Sequence, residues 1–134
     1  MRNDRPANAV LDKSYTFALA AISLSWKLQS LHEFVLSRQF ARAATSVGAN
    51  VEEAQAAQTK PEFHTLMSRA EKEARESHYW LRLIRDSYIE VSANASALLE
   101  SAQELKHILA AVTKSTKSNP GAFRIPHFAF RISS

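Results

Sequence analysis

Apolar positions recur at steps of three and four over most of this chain, the spacing that lines one face of an α-helix. The longest run is Phe63, Met67, Ala70, Ala74, Ser77, Leu81, Ile84 and Tyr88, a seam without a break along a helix predicted over 61–88. At 1.5 Å per residue that helix reaches about 40 Å. After a short turn at 90–94, Val91, Ala95, Leu98, Ala102, Leu105, Leu109 and Val112 repeat the pattern in a further helix, and Ser118-Asn119-Pro120-Gly121 stops it. Upstream, Phe40, Ala43 or Ala44, Val47, Val51 and Ala54 keep helical spacing with mostly small side chains. Ser37 is the predicted cap of that helix, and Gln58-Thr59-Lys60-Pro61 ends it and opens the next, with Pro61 in a first turn that needs no amide.

The first helix, predicted to begin at Asn8 or Asp12, carries two apolar stripes. Leu11, Tyr15, Ala18, Ile22 and Ser25 form one; Phe17, Leu24, Leu28, Leu31 and Val35 form the other, with Leu19 and Trp26 between them. A bundle helix needs one buried face, so the surplus points to a second packing partner, another copy of the chain, or else to a helix placed centrally in a thick monomer. Phe17, Leu24, Trp26 and Leu28, with Trp80 and Leu83 beside the 61–88 seam, are the candidate oligomer-interface residues. Gly48 lies mid-helix, where glycine costs about 1 kcal/mol relative to alanine, and a close helix contact is the simplest reason for it. The pattern as a whole predicts an all-α domain of four helices over 1–118 and an irregular basic, aromatic tail over 119–134.

Composition narrows the function classes. The 134 residues include two glycines, four prolines and no cysteine, which suits a helical chain and excludes disulfides and thiolate metal sites. No apolar run approaches the ~20 residues of a membrane span, and MRNDRPANAV lacks the core of a signal peptide, so a cytoplasmic protein with no membrane contact is expected. The net charge is +4, and no acidic residue follows Glu104. Arg75, His78, Arg82 and Arg85 form a basic flank on the third helix, and Lys114, Lys117, Arg124 and Arg131 extend the basic character to the C-terminus; these are the candidate nucleic-acid-binding residues. Such a flank is more often a solvated face than a functional one, with Glu71 able to pair with Arg75 and Asp86 with Arg82 at four-residue spacing. The tail, with Phe123, Phe128 and Phe130, is apolar enough to require a docking surface.

Catalytic constellations are not supported. A di-iron bundle needs two Glu-x-x-His pairs, and only Glu104 with His107 qualifies. Glycine at 48 and 121 alone leaves no phosphate loop, and no histidine follows an arginine by five to seven positions, so no cofactor, metal or catalytic residue is assigned and the protein is expected not to be an enzyme. Asn50 and Glu53 on one helix with Arg75 and Glu76 on the next are expected to form a structural polar network that fixes register.

The runs Ser46–Ala54 (SVGANVEEA) and Glu73–Leu83 (EARESHYWLRL), together with Arg42, Ala43, Phe63, Leu66 and Ala70, carry a resemblance. Over roughly residues 11 to 115 the chain resembles the bacterial four-helix-bundle family first noted as proteins encoded in intervening sequences of 23S ribosomal RNA genes. Many members have glycine where this chain has Ala54. The resemblance implies an up-down-up-down bundle that assembles as a homopentamer. Relatives include accessory proteins of diversity-generating retroelements, so it also implies nucleic acid and a reverse transcriptase as partners. The function expected is thus a non-enzymatic oligomeric adaptor holding nucleic-acid backbone, the alternative being a protein-interaction scaffold that binds none.

Overall fold

Each seam read from the sequence becomes a buried helix face. The computed structural model describes residues 6–118, in which four helices, α1 (Pro6–Ser30), α2 (Phe34–Ala54), α3 (Lys60–Ser87) and α4 (Ser92–Ser118), follow one another with a single 3₁₀ turn at Ile89–Val91 before the last. Consecutive helices pack side by side and α4 closes back on α1, more lightly than the other pairs. Antiparallel register shows in the cross-helix contacts: Ser25 meets Ser37, Arg42 meets Glu73 and Glu76, Glu71 meets Thr113, and Lys13 pairs with Glu104. The fold is therefore an all-α four-helix bundle. Among the described residues no helix is long and apolar enough to cross a membrane.

The α3 seam from Phe63 to Ile84 is buried throughout, and Val91 to Leu109 of the α4 seam is buried with it. Thr59 caps α3 by accepting from the Glu62 amide at 3.2 Å, while the Glu62 carboxylate reaches back to the Gln58 amide at 2.9 Å. Pro61 sits in the first turn, so the free amides of that helix start are met from both directions.

The link between α1 and α2 departs from expectation. His32 takes a positive φ of 63°, and the amides of His32 and Glu33 bond back to the carbonyls of Gln29 and Leu28 at 2.9 Å each. This is a left-handed helix stop made without glycine. Glu33, not Ser37, caps α2, and its carboxylate also accepts the Tyr88 hydroxyl, tying the link to the end of α3. Ser37 is buried one turn inside α2, where its Oγ lies 2.6 Å from Ser25 Oγ. A serine in a helix interior satisfied by a partner helix leaves no local signal to separate it from a cap.

Gly48 faces α1. A Cβ built there would lie 3.3 Å from Ser14 Oγ and 3.5 Å from the Ser14 main chain, so the glycine lets the two helices approach closely. On α1 the stripe with Phe17, Leu24 and Leu28 turns inward, at 1%, 2% and 0% exposure. Those three are core residues of a single subunit, which corrects their assignment to an oligomer interface. The face left outside carries Tyr15, Leu19, Ile22 and Trp26, at 62%, 54%, 37% and 68% exposure. The first stripe thus splits, with Tyr15 and Ile22 outside, Leu11 and Ala18 partly covered, and Ser25 buried.

Candidate nucleic-acid interface

The basic flank is built on the side of α3 that leans on α4. His78, Arg82 and Arg85 line one groove with Leu99, Glu100 and Gln103 of α4. Lys106 enters from α4 close enough for its charge to act on His78. Burial first, then the charges of Lys106, Arg82 and Arg85, push the His78 imidazole below its ordinary 6.5. Its neutral form is therefore favoured, as expected where local potential is already positive.

Acidic neighbours restrain part of this charge. Arg75 pairs with Glu71 at 3.3 Å one turn away, and Glu71 also accepts from Thr113 of α4 at 2.8 Å. Arg85 holds Asp86 through two bonds of 2.7 and 3.1 Å. Arg82 and Lys106 have no carboxylate within salt-bridge distance among the described residues. Arg82 instead places its guanidinium carbon 5.6 Å from the centre of the Tyr79 ring.

The other sequence candidates separate in space. Lys114 and Lys117 are exposed on α4, but they belong beside the start of α3, because Thr113 meets Glu71 and Thr116 meets His64. Lys114 lies eight residues beyond Lys106, about 12 Å along the axis. Arg124 and Arg131 lie outside the described residues. Lys106 and Tyr79 are part of the flank and were not picked out from the pattern. Counting equal distances from the turn at 89–91 places Lys106 opposite position 74, one helical turn from His78, so the signal existed in the antiparallel register.

The structural polar network forms with different members. Arg42 donates to Glu73 at 3.4 Å and to Glu76, and the Trp80 indole donates to Glu76 at 3.0 Å. The indole bond, with Arg42 and Lys72 nearby, holds the Glu76 carboxyl below its ordinary 4.5, and Glu76 in turn raises Arg42. Asn50 bonds within its own helix, to the Ser46 carbonyl at 2.8 Å, and Glu53 borders a surface groove with Glu62, Thr65 and Arg69. Register forbids the expected grouping: about the turn at 55–59, positions 50–53 fall opposite 61–64, about three turns short of 75–76. Arg75 is also rotated about 100° from Glu76 and pairs with Glu71 on its own helix, while Glu76 meets Arg42 of α2. Of the remaining interface candidates, Trp80 is half-buried against its own core and Leu83 is half-buried.

Residues 7–111 match the family described as 23S rRNA-intervening sequence protein. The chain belongs to that family. A solved structure of a protein with unknown function from the S23 ribosomal protein family of Bacteroides thetaiotaomicron is 33% identical, with a TM-score of 0.76 over 81% of this chain and 98% of that one. No curated protein matches. For this member of the 23S rRNA-intervening sequence proteins, the match covers α1 to α3 and most of α4, so the basic flank, the Arg42–Glu76–Trp80 network and the outer face of α1 all lie on the family unit.

Proposed function

We propose that this protein is a non-enzymatic, self-assembling adaptor that holds nucleic-acid backbone against the α3–α4 flank, as a homopentamer in the cytoplasm. The observation that carries the reading is the convergence of His78, Arg82 and Arg85 from α3 with Lys106 from α4, two of these cations having no carboxylate partner among the described residues. Backbone binding of this kind needs no pocket and little sequence readout. Self-association is supported by the apolar outer face of α1, which none of the described residues covers. A reverse transcriptase is the protein partner that fits the adaptor reading.

Gel shift at about 50 mM salt with single-stranded RNA, structured RNA and duplex DNA tests it, and the affinity should fall linearly on a log-log plot as salt rises. Arg82→Glu with Arg85→Glu should weaken every complex while assembly is retained. The pairing of Arg75 with Glu71 and of Arg85 with Asp86 favours a second reading, in which the flank is a solvated surface of a protein-interaction scaffold. Absence of any complex at micromolar protein would establish that second reading over the first.

A further inference from the structure

Phosphate binding leaves Tyr79 unexplained. The residue is 47% exposed on the basic flank, where a helix surface made only for charge would carry a polar side chain. Arg75, Tyr79 and Arg82 follow steps of four and three, so Tyr79 lies between two arginine positions on one stripe of α3. Arg82 stands over it at 5.6 Å, and Trp80 meets it edge-on, the ring centres 5.3 Å apart and the planes inclined at 62°.

The Trp80 ring is fixed in turn. Its indole donates to Glu76 at 3.0 Å, and Glu76 is held by Arg42 of α2. A T-shaped contact to an anchored ring limits the orientations Tyr79 can take, and at 47% exposure Tyr79 keeps part of its surface open to solvent beside Arg82. A pre-oriented exposed ring with a guanidinium at its face is the surface on which an unpaired nucleobase stacks. Bases inside a duplex already stack on both sides and have no face to offer. A protein partner would find the same ring, but the cations around it, with Lys106 and Arg85 beyond, match a chain that alternates aromatic bases with phosphates.

We propose that Tyr79 and Arg82 form a base-stacking platform, so that the α3–α4 flank takes single-stranded nucleic acid with a base on Tyr79 and phosphates on Arg85 and Lys106. This rests on the nucleic-acid reading above and names the form of nucleic acid that it binds.

The test is a binding titration of the full chain with a 12-nucleotide RNA strand, the same sequence as a DNA strand, and the blunt DNA duplex. Wild type, Tyr79→Ala, Tyr79→Phe and Arg82→Ala are compared between about 50 and 200 mM salt, with circular dichroism and light scattering verifying that each variant folds and assembles. Single strands should bind more tightly than the duplex. Tyr79→Ala should weaken strand binding at least about fivefold with the salt slope unchanged, because a stacking contact releases no counterion. Tyr79→Phe should stay within about twofold of wild type, since stacking needs the ring and not the hydroxyl. Arg82→Ala should lower the slope by about one if the guanidinium also meets a phosphate. Strand binding unaltered in Tyr79→Ala, or a duplex bound as tightly as its strands, overturns the platform while leaving backbone binding intact. No complex with any of the three overturns both.

Discussion

Trp26→Gln should separate assembly from folding. Trp26 is 68% exposed in the isolated subunit, beside Leu19, Ile22 and Tyr15 on the same outer face of α1. A tryptophan contributes roughly 150–250 Å² when covered, so the uncovered two-thirds amounts to roughly 100–170 Å². At about 25 cal/mol per Å² its burial between subunits is worth about 2.5–4 kcal/mol, which moves a dissociation constant about a hundredfold to a thousandfold. The same substitution should leave the fold of the subunit within about 0.5 kcal/mol, because Trp26 is two-thirds exposed and lies outside the core cluster. Leu24→Ala is the reciprocal control: at 2% exposure it leaves a core cavity costing about 2–5 kcal/mol of folding stability. Sedimentation or light scattering over a concentration series reports mass against the 15.0 kDa chain, and urea unfolding at the lowest concentration reports the subunit. A wild-type chain that stays near 15.0 kDa at micromolar concentration refutes assembly altogether. A Trp26→Gln variant whose mass follows the wild-type curve refutes the α1 face as the interface.

Gly48→Ala alone should be close to neutral, since the helix gains about 1 kcal/mol but the new methyl meets Ser14 Oγ at 3.3 Å. With Ser14→Ala as background the nearest contacts relax to 3.5 Å and the full gain should appear; strictly additive denaturation midpoints would contradict the contact. Glu76 is charged more readily in the native state than its ordinary 4.5, so its contribution is present above that pH and is lost as the pH falls through the lowered native value. Glu76→Gln should cost about 0.5–1 kcal/mol near neutral pH, given the partial exposure of the pair, and should flatten the loss of stability below about pH 5; an unchanged acid limb would exclude this carboxyl as its source. His32→Val should cost about 1–2 kcal/mol because a β-branched residue fits a positive φ poorly, whereas His32→Gly should be tolerated; thermal melts showing equal effects would refute the left-handed stop as the cause.

What the sequence determined by itself is the set of helices that bury one face. The α3 and α4 seams were legible residue by residue, because a single stripe at helical period has one way to face a core, and Thr59 with Pro61 marks a helix start through local hydrogen-bonding alone. The basic flank was legible for the same local reason, since Arg75, His78, Arg82 and Arg85 share one side of one helix.

Tertiary structure decided everything that depends on a second helix. On α1 two stripes offered comparable apolar area, and only the fit of Phe17, Leu24 and Leu28 against the other three helices chose which one became core. Arg42 replaced Arg75 as the partner of Glu76, and Lys106 joined His78, because antiparallel register sets which turns meet across a bundle. Periodicity fixes the direction in which a side chain points from its own axis. Its neighbour is fixed by the rotation and offset of the helix opposite, and those come from packing the whole core at once.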